Sequence, residues 1–290
     1  MPRRPALAVA RHPLAGAALA ALVLAFGVPK SAPAQQLPDL VTPDTLRVCA
    51  DPANMPFSNR NGEGFENRIA EVVAAELKVP LRYYWLSQGP GFVRNTLGLN
   101  LCDLIIGYAA GTELTQHSNP YYRSVYAALV RRDGPLADLT QLSDPRLRDK
   151  RIGVTAATPP TDHLTDLGLI DRVKAYSLLV DRRYESPADE MVADLLAGTI
   201  DMAILWGPIA GPLAKAHPDV ELVPLVHEKE RPPLAFRITM AMRPNEIEWK
   251  RTINTILRRR EAEITKTLLE FGVPLVDEEG KVIIPEGQKP

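Results

Sequence analysis

Cysteine and histidine are scarce in this chain, which limits the chemistry it can perform. Its 290 residues include two cysteines and five histidines, and none of these stands in a CxxC or HxxxH spacing. Proteins usually hold metal ions with ligands at such short spacings, so the sequence predicts no metal site. We expect no resident cofactor either.

Long apolar runs are absent after the first thirty residues, so the mature chain is not expected to insert into a membrane. The one run near the start, residues 14–28, follows three arginines and precedes the small residues of 32–34. This order is typical of a secretory signal peptide. A membrane anchor is the alternative, but about 15 apolar residues fall short of the ~20 that span a bilayer. We therefore expect residues 1–34 to be removed before Gln35 when the chain is exported.

A strong charge of either sign is also missing. Without residues 1–34 the chain loses three arginines, one lysine and no acidic residue, so its formal charge falls from -1 to -5. Nucleic-acid binding needs a basic surface, which a mildly acidic chain does not supply. We expect no nucleic-acid partner.

The first half of the mature chain has the pattern of a βαβαβ unit. Leu46 to Cys49 is a short apolar strand that stops at Asp51-Pro52. A helix pattern follows over 65–77, and further strands are predicted at 81–85 and 102–107. Right-handed crossovers place the first strand between the other two. The polar residues after the first strand then lie at the carboxyl edge of the sheet, where α/β folds bind ligands.

The two cysteines, Cys49 and Cys102, are predicted to be unpaired, although export makes a disulfide the default for such a pair. If strands 46–49 and 102–107 end at the same level, Cys49 lies beside about Ile106. Cys102 then opens its strand four residues away, at roughly 13 Å, which is beyond the reach of a disulfide. Both thiols should therefore react with a thiol reagent after denaturation.

The second half of the chain begins another α/β series after a long strand at 121–130. Strands are predicted at 151–155, 200–207, 220–226 and 234–242, and a long helix at 245–271. Residues 100–107 and 198–205 have a similar sequence pattern, in which a polar turn precedes an Asp and an apolar strand. Two similar halves joined by two crossing strands predict a hinged, two-lobed α/β fold. The boundaries expected are 45–128 plus 235–272 for lobe 1, 131–230 for lobe 2, and 273–290 for a C-terminal tail.

Several phrases of the chain together resemble those of type II periplasmic solute-binding proteins. They are LRVCADPANMPFSN (46–59), GEGFENRIAEVVAAEL (62–77), GFVRNTL (91–97), CDLIIG (102–107), NPYYRSVYAALV (119–130), RIGV (151–154) and DMAILWGPIAG (201–211). The similarity covers essentially all of 45–272. It is closer to one branch, the periplasmic accessory proteins associated with PQQ-dependent quinoprotein alcohol dehydrogenases, of the MxaJ/XoxJ type.

This resemblance implies a two-lobed fold with a cleft and a hinge of two crossing strands. It also implies a function: binding a PQQ-dependent methanol or alcohol dehydrogenase, possibly with its cytochrome c, during activation or assembly. The alternative is a receptor that delivers a small organic solute to an ABC transporter.

The chain departs from nutrient receptors of this family at one position. Amino-acid receptors of the fold carry a Thr-x-x-Arg whose Arg clamps the ligand carboxylate. Here Thr112 is followed by Glu113, Leu114 and Thr115, and the nearest Arg is Arg123 in the crossing strand. An amino-acid ligand held in the usual way is therefore not expected.

The resemblance and the strand ends together predict which residues line the cleft. Asp51 could bind an amine or could order its own loop, and the aromatic residues could form cleft walls or pack between the lobes. Hydroxyls near a helix start could bind an anion. The predicted set is Asp51, Asn54, Phe57, Tyr108, Thr112, Arg123, Thr155, Thr158 and Trp206.

No catalytic group is predicted in this cleft, although exported dehydratases share the fold. Asp51, Glu66 and Glu113 are the carboxylates expected near it, and no His, Lys or Ser base pairs with them by spacing. We expect a binding protein and not an enzyme.

Overall fold

The computed structural model describes residues 41–110 and 114–283. The predicted signal peptide lies outside these ranges. The strands are β1 (Leu46–Ala50), β2 (Ala53–Asn54), β3 (Ser58–Asn59), β4 (Leu81–Trp85), β5 (Ile105–Ala109), β6 (Gln116–His117), β7 (Tyr122–Arg131), β8 (Ile152–Thr155), β9 (Val173–Tyr176), β10 (Met202–Trp206), β11 (Val220–Pro224) and β12 (Ala235–Met242). The helices are α1 (Phe65–Leu77), α2 (Pro159–Asp166), α3 (Pro187–Leu196), α4 (Gly207–Ala216), α5 (Ile247–Arg259) and α6 (Glu261–Glu270).

Helix α1 shows how the sequence produces the first βαβ unit. Phe65, Ile69 and Val73 are spaced by four residues, so they share one face, and all three are fully buried. Burying each such side chain contributes about 1.5–3 kcal/mol relative to exposure. The helix ends at Lys78, whose left-handed backbone (φ 59°) lets its N–H bond back to the last turn. Pro80 then starts the path into β4.

Strand β1 lies between β4 and β5, as the crossover rule predicted. It pairs in parallel with β4, with Val48 opposite Tyr83. On its other side Val48 forms a parallel bridge with Leu104, just before β5. Antiparallel β12 follows on the far side of β5.

The second half of the chain builds a separate stretch of sheet. Strand β8 lies between β9 and β10 and is parallel to both. Strand β10 also pairs antiparallel with β7, which carries β11 on its opposite side. This arrangement repeats the mixed parallel and antiparallel plan of the first half.

Strands β7 and β12 connect the two halves. The first part of β7, 122–125, pairs antiparallel with β12, whereas its later part, 126–131, pairs with β10 and β11. The later part of β12 pairs with β5 and β6. The fold is thus α/β and two-lobed, with two crossing strands between the lobes.

The buried side chains form separate cores on the two sides of this crossing. One core contains Phe65, Leu104, Met240 and Ile253 and belongs to the first half of the chain and the C-terminal helices. Two others lie on the faces of the second sheet, one around Ile152 and one around Leu195, Leu205 and Val220. Among the described residues no helix has the length and apolar character that crossing a membrane requires.

The prediction of two unpaired cysteines is wrong. Cys49 and Cys102 form a disulfide with a Cα–Cα distance of 5.5 Å. The prediction assumed a straight strand from residue 102, but β5 begins only at Ile105. Before it the chain curls, because the amides of residues 103 and 104 both donate to the Arg47 carbonyl, at 2.8 and 3.2 Å. This curl returns Cys102 to the side of Cys49.

The long helix predicted over 245–271 is divided in two. Helix α5 ends at Arg259 and α6 starts at Glu261. The guanidinium of Arg260, at the break, forms an ion pair with Glu76 at 2.7 Å and so ties the break to the end of α1. Helix α3, in contrast, has an ordinary start after Ser186, whose hydroxyl accepts the Asp189 amide.

Candidate functional site

A cavity of about 840 Å³ lies between the two halves of the chain. Its walls come from the loops after β1, β4, β8 and β9, from strands β5 and β7, from the starts of α1 and α3, and from the β10–α4 junction. The lining residues include Asn54, Met55, Phe57, Arg60, Glu66, Gln88, Gly107, Tyr126, Thr155, Thr158, Leu178, Arg182, Glu185, Asp189, Trp206, Ile209 and Leu213. Small-molecule sites are usually about 300–1,000 Å³, so the cavity is at the large end of that range.

Asp51 orders the loop that forms one wall of the cavity. It is 1% exposed, and its two carboxylate oxygens accept the amides of Ala53 at 2.9 Å and Gln88 at 2.7 Å. The carboxylate thus joins the loop after β1 to the loop after β4. Asp51 does not line the cavity itself.

Asn54 and Phe57 do lie in this wall. The Asn54 amide donates to the Gln88 side chain at 2.8 Å, which holds the two loops together at a second point. The Phe57 ring packs on Phe65 at the start of α1, with ring centroids 5.1 Å apart. Phe57 therefore both packs against α1 and lines the cavity.

Trp206 forms the opposite wall with Tyr126. Their ring centroids are 5.3 Å apart, and Phe236 from β12 packs on both rings. Trp206 ends β10, and α4 starts directly at Gly207. A side chain at Gly207 would meet the Val125 carbonyl at 2.2 Å, so only glycine allows this close approach of α4 to the crossing strand.

Thr155 and Thr158 line the cavity in front of α2. The Thr158 hydroxyl donates to the Thr155 carbonyl at 2.6 Å, so it serves its own loop. The first two residues of α2, Pro159 and Pro160, have no amide hydrogen to offer an anion. This helix start therefore provides fewer donors than the usual anion-binding helix terminus.

Tyr108 and Arg123 lie away from the cavity. The Tyr108 ring packs on His117, at 5.7 Å between centroids, within the cluster around the disulfide. The Arg123 guanidinium donates to the carbonyls of Asp277 and Glu278, both at 2.9 Å, and so fastens the segment after α6. Thr112 lies outside the described residues.

Arg182 also lines the cavity, although the sequence does not predict it there. Its guanidinium donates to the Gln88 carbonyl at 3.2 Å and lies 3.7 Å from the Asp51 carboxylate. It therefore connects the loop after β9 to the loops of the first half across the cavity. No periodicity or motif marks Arg182, because it stands in an irregular loop.

Glu66 lies in the wall at the start of α1 and is 7% exposed. Its carboxyl forms no hydrogen bond or ion pair with the residues that the structure describes. Burial alone raises the pKa of Glu66 to about 8. The sequence predicts this carboxyl near the cleft, though not among the lining residues.

No group of three or more His, Cys, Asp or Glu within 41–110 and 114–283 could hold a metal ion. The cavity instead combines aromatic walls, amide and hydroxyl groups, and a few charged side chains. Such a site can bind an organic group or a peptide segment.

A two-lobed α/β fold with a cavity beside two crossing strands defines the class of periplasmic binding proteins. Comparison with solved structures agrees. The periplasmic binding protein XoxJ from Methylobacterium extorquens AM1 is 52% identical, with a TM-score of 0.69 over 80% of this chain and 100% of that one. MxaJ from Methlophaga aminisulfidivorans MPT is 26% identical, with a TM-score of 0.70 over the same shares.

Sequence comparison points the same way. Protein MoxJ from Methylorubrum extorquens is 30% identical over 294 residues, which cover 94% of this chain and 96% of MoxJ. No family model matches the chain. The chain belongs to the MxaJ/XoxJ-like branch of the periplasmic solute-binding-protein family.

Proposed function

We propose that this protein is a periplasmic accessory protein that binds a PQQ-dependent methanol-type dehydrogenase and assists its activation or assembly. The observation that carries the proposal is the 52% identity to XoxJ over the whole of that chain. The partner is inferred from the resemblance of this chain to accessory proteins that are associated with such dehydrogenases. Export through residues 1–34 would bring the protein to the periplasm, the compartment of the periplasmic binding protein XoxJ.

The charged groups of the cavity support this role over delivery of an amino acid. The family's carboxylate-clamping Arg is replaced by Thr115. Of the two arginines in the cavity wall, Arg182 is held by Asp51 and the Gln88 carbonyl, and Arg60 lies over the Trp85 ring at 5.6 Å. A free carboxylate ligand would also face Glu185 and Asp189, which line the cavity without an ion pair among the described residues, and like charges disfavour it.

The shape of the cavity supports a role in holding a partner. A volume of about 840 Å³ accommodates several residues of a loop or terminus, and its walls come from both halves of the chain. We propose lobes of 45–128 plus 235–272 and of 131–230, with residues 273–290 as a tail. Rotation about β7 and β12 would close the cavity on a bound segment and couple the grip to a change in shape.

An activity measurement tests the accessory role. The dehydrogenase is produced without this protein, incubated with PQQ, and assayed with and without the purified protein added. We expect faster or more complete recovery of dehydrogenase activity in its presence, without turnover of the alcohol by the protein alone. A control incubation with an unrelated periplasmic binding protein should give no recovery.

The competing role is that of a transport receptor, which the shared fold and the cavity between lobes favour. Calorimetry with a panel of small organic solutes distinguishes the two roles. Tight binding of one solute, together with no effect on the dehydrogenase, would establish the receptor role and refute the accessory one.

A further inference from the structure

Glu66 is a buried acid that the protein itself leaves without a partner. Its side chain lines the cavity, is 7% exposed, and receives no hydrogen bond or ion pair from residues 41–110 and 114–283. Burying a carboxyl without a partner is unfavourable, so proteins that retain one usually use it. The position of Glu66 in the first turn of α1 does not explain its burial, because an exposed acid at a helix start interacts equally well with the helix dipole.

The fold makes room for this carboxyl at the cavity wall. Gly107, the neighbouring residue in β5, also lines the cavity. A side chain at Gly107 would lie 1.9 Å from Glu66 Oε1, so the carboxyl occupies the space that any larger residue would fill. The position of the Glu66 carboxyl against the cavity therefore depends on glycine in β5.

The other walls are suited to a cation. The rings of Phe57, Tyr126 and Trp206 line the cavity, and ring faces attract ammonium groups by about 0.5–2 kcal/mol. Two further carboxylates, Glu185 and Asp189, line it without an ion pair among the described residues.

The two arginines of the cavity wall do not pair with the acidic side chains that line it. The guanidinium of Arg182 lies by Asp51 and that of Arg60 over the Trp85 ring, and no described lysine lines the cavity. The remaining titratable groups near Glu66 are Tyr83, Tyr121 and Tyr122. Burial raises the pKa of all three hydroxyls above the usual value, so they stay neutral.

We propose that the cavity binds its ligand through a primary ammonium group, which pairs with the Glu66 carboxylate and is faced by Phe57, Tyr126 and Trp206. The ammonium can belong to a free alkylamine or to a polypeptide, as a lysine side chain or an amino terminus. The inference concerns the chemistry of the site and does not require the dehydrogenase as partner. If it fails, the proposed function still stands.

Binding of an ammonium is coupled to a proton. Below about pH 8 the empty site holds Glu66 as the neutral acid. The arriving ammonium keeps its own protons, and the Glu66 carboxyl releases one proton to solvent as the ion pair forms. The affinity should therefore rise about tenfold per pH unit up to about pH 8 and level off above it.

Calorimetry with two amines tests the proposal and separates the two sources. The probes are n-pentylamine and a short peptide, acetylated at its amino terminus and amidated at its carboxyl terminus, with one central lysine. Each is titrated at pH 6.5 and pH 9 in two buffers of different ionisation enthalpy. We expect at least one probe to bind, with release of about one proton at pH 6.5 and almost none at pH 9. Binding of the peptide alone identifies a polypeptide source, and binding of the free amine alone identifies a small-molecule source.

Two variants make the test specific to the buried acid. Glu66→Gln keeps the shape and removes the charge, and should weaken binding at pH 9 by about 10–100-fold, the worth of a charged hydrogen bond. Glu71→Gln, on the exposed face of the same helix, should bind like the wild type. Equal binding by wild type and Glu66→Gln, or binding of neither amine, would overturn the proposal.

A spectroscopic measurement on the unmodified protein covers the case in which Glu66→Gln does not fold. Infrared spectra at pH 6.5 should show a buried carboxylic-acid band that is lost when the amine is added. A band that persists in the presence of saturating amine would contradict the proposed ion pair.

Discussion

Replacing Glu66 by glutamine should make the stability of this protein less dependent on pH. In the folded chain the pKa of Glu66 is about 8, against an ordinary value of 4.5. The unfolded chain therefore loses this proton near pH 4.5, while the folded chain keeps it to about pH 8. Since the folded state holds more protons over this interval, the free energy of unfolding falls as the pH rises through it.

The size of the effect follows from the two pKa values. Each unit between them is worth about 1.4 kcal/mol, so the cost of Glu66 to the folded state reaches about 5 kcal/mol above pH 8. Water entering the cavity would reduce this figure, so it is a ceiling. Glu66→Gln lacks the cost, and below pH 4.5 it should match the wild type or be slightly less stable.

Urea unfolding at half-unit steps from pH 4 to pH 9 measures this difference. The stability of Glu66→Gln relative to the wild type should increase steadily between about pH 4.5 and pH 8 and then remain constant. Glu71→Gln, from the exposed face of α1, should show no such trend. A difference between wild type and Glu66→Gln that does not change with pH would show that the carboxyl is ionised in the folded protein and that our account of its burial is wrong.

Three further predictions concern other parts of the chain. Replacing Cys49 and Cys102 by serine should lower the stability by roughly 4 kcal/mol, the entropy of opening a loop with a sequence separation of 53, as measured by urea unfolding; no loss would refute it. Arg182→Ala should open the cavity and increase the radius of gyration in X-ray scattering, whereas Arg183→Ala, which loses only local contacts with Asp181 and Tyr184, should not; equal radii for the wild type and Arg182→Ala would refute the role of Arg182 in holding the two walls together. Intact-mass measurement of the exported protein should place its first residue at Gln35 or within a residue or two of it, and a mass that retains residues 1–34 would refute the signal peptide.

The order of strands around β1 could be predicted because it depends on local patterns and on one general rule. Apolar runs define β1 and β4, the spacing of Ile69 and Val73 defines α1, and crossover handedness places β1 in the middle. The hinge could also be predicted, because one long strand follows each α/β series and the two strands can connect the halves.

The disulfide could not be predicted by this reasoning because it depends on where a strand begins. Residues 102–107 are one apolar run in the sequence, yet residues 103 and 104 both bond to the Arg47 carbonyl and β5 starts at Ile105. A curl of two residues changes the Cys49–Cys102 separation from roughly 13 Å to a bonding distance. Apolar periodicity carries no information about such a curl.

The cavity was predictable where strands end and unpredictable where loops meet. Phe57 and Trp206 follow or end strands, and both line it. Asp51 also follows a strand, but its carboxylate accepts the backbone amides of Ala53 and Gln88 and does not face the cavity. This orientation depends on the loop of Gln88, which is distant in the sequence. Arg182 reaches the cavity from a loop that only the fold brings near.

Sedimentation of this protein mixed with a PQQ-dependent methanol-type dehydrogenase from the same organism tests the central claim most directly. Apo and holo forms of the dehydrogenase are each mixed with the protein at concentrations up to about 100 µM, where even a Kd of about 10 µM populates a complex. We predict a faster-sedimenting complex with the apo form that weakens once PQQ is loaded, because an accessory protein must release the finished enzyme. Independent sedimentation of the protein and both forms of the dehydrogenase at these concentrations would contradict the account.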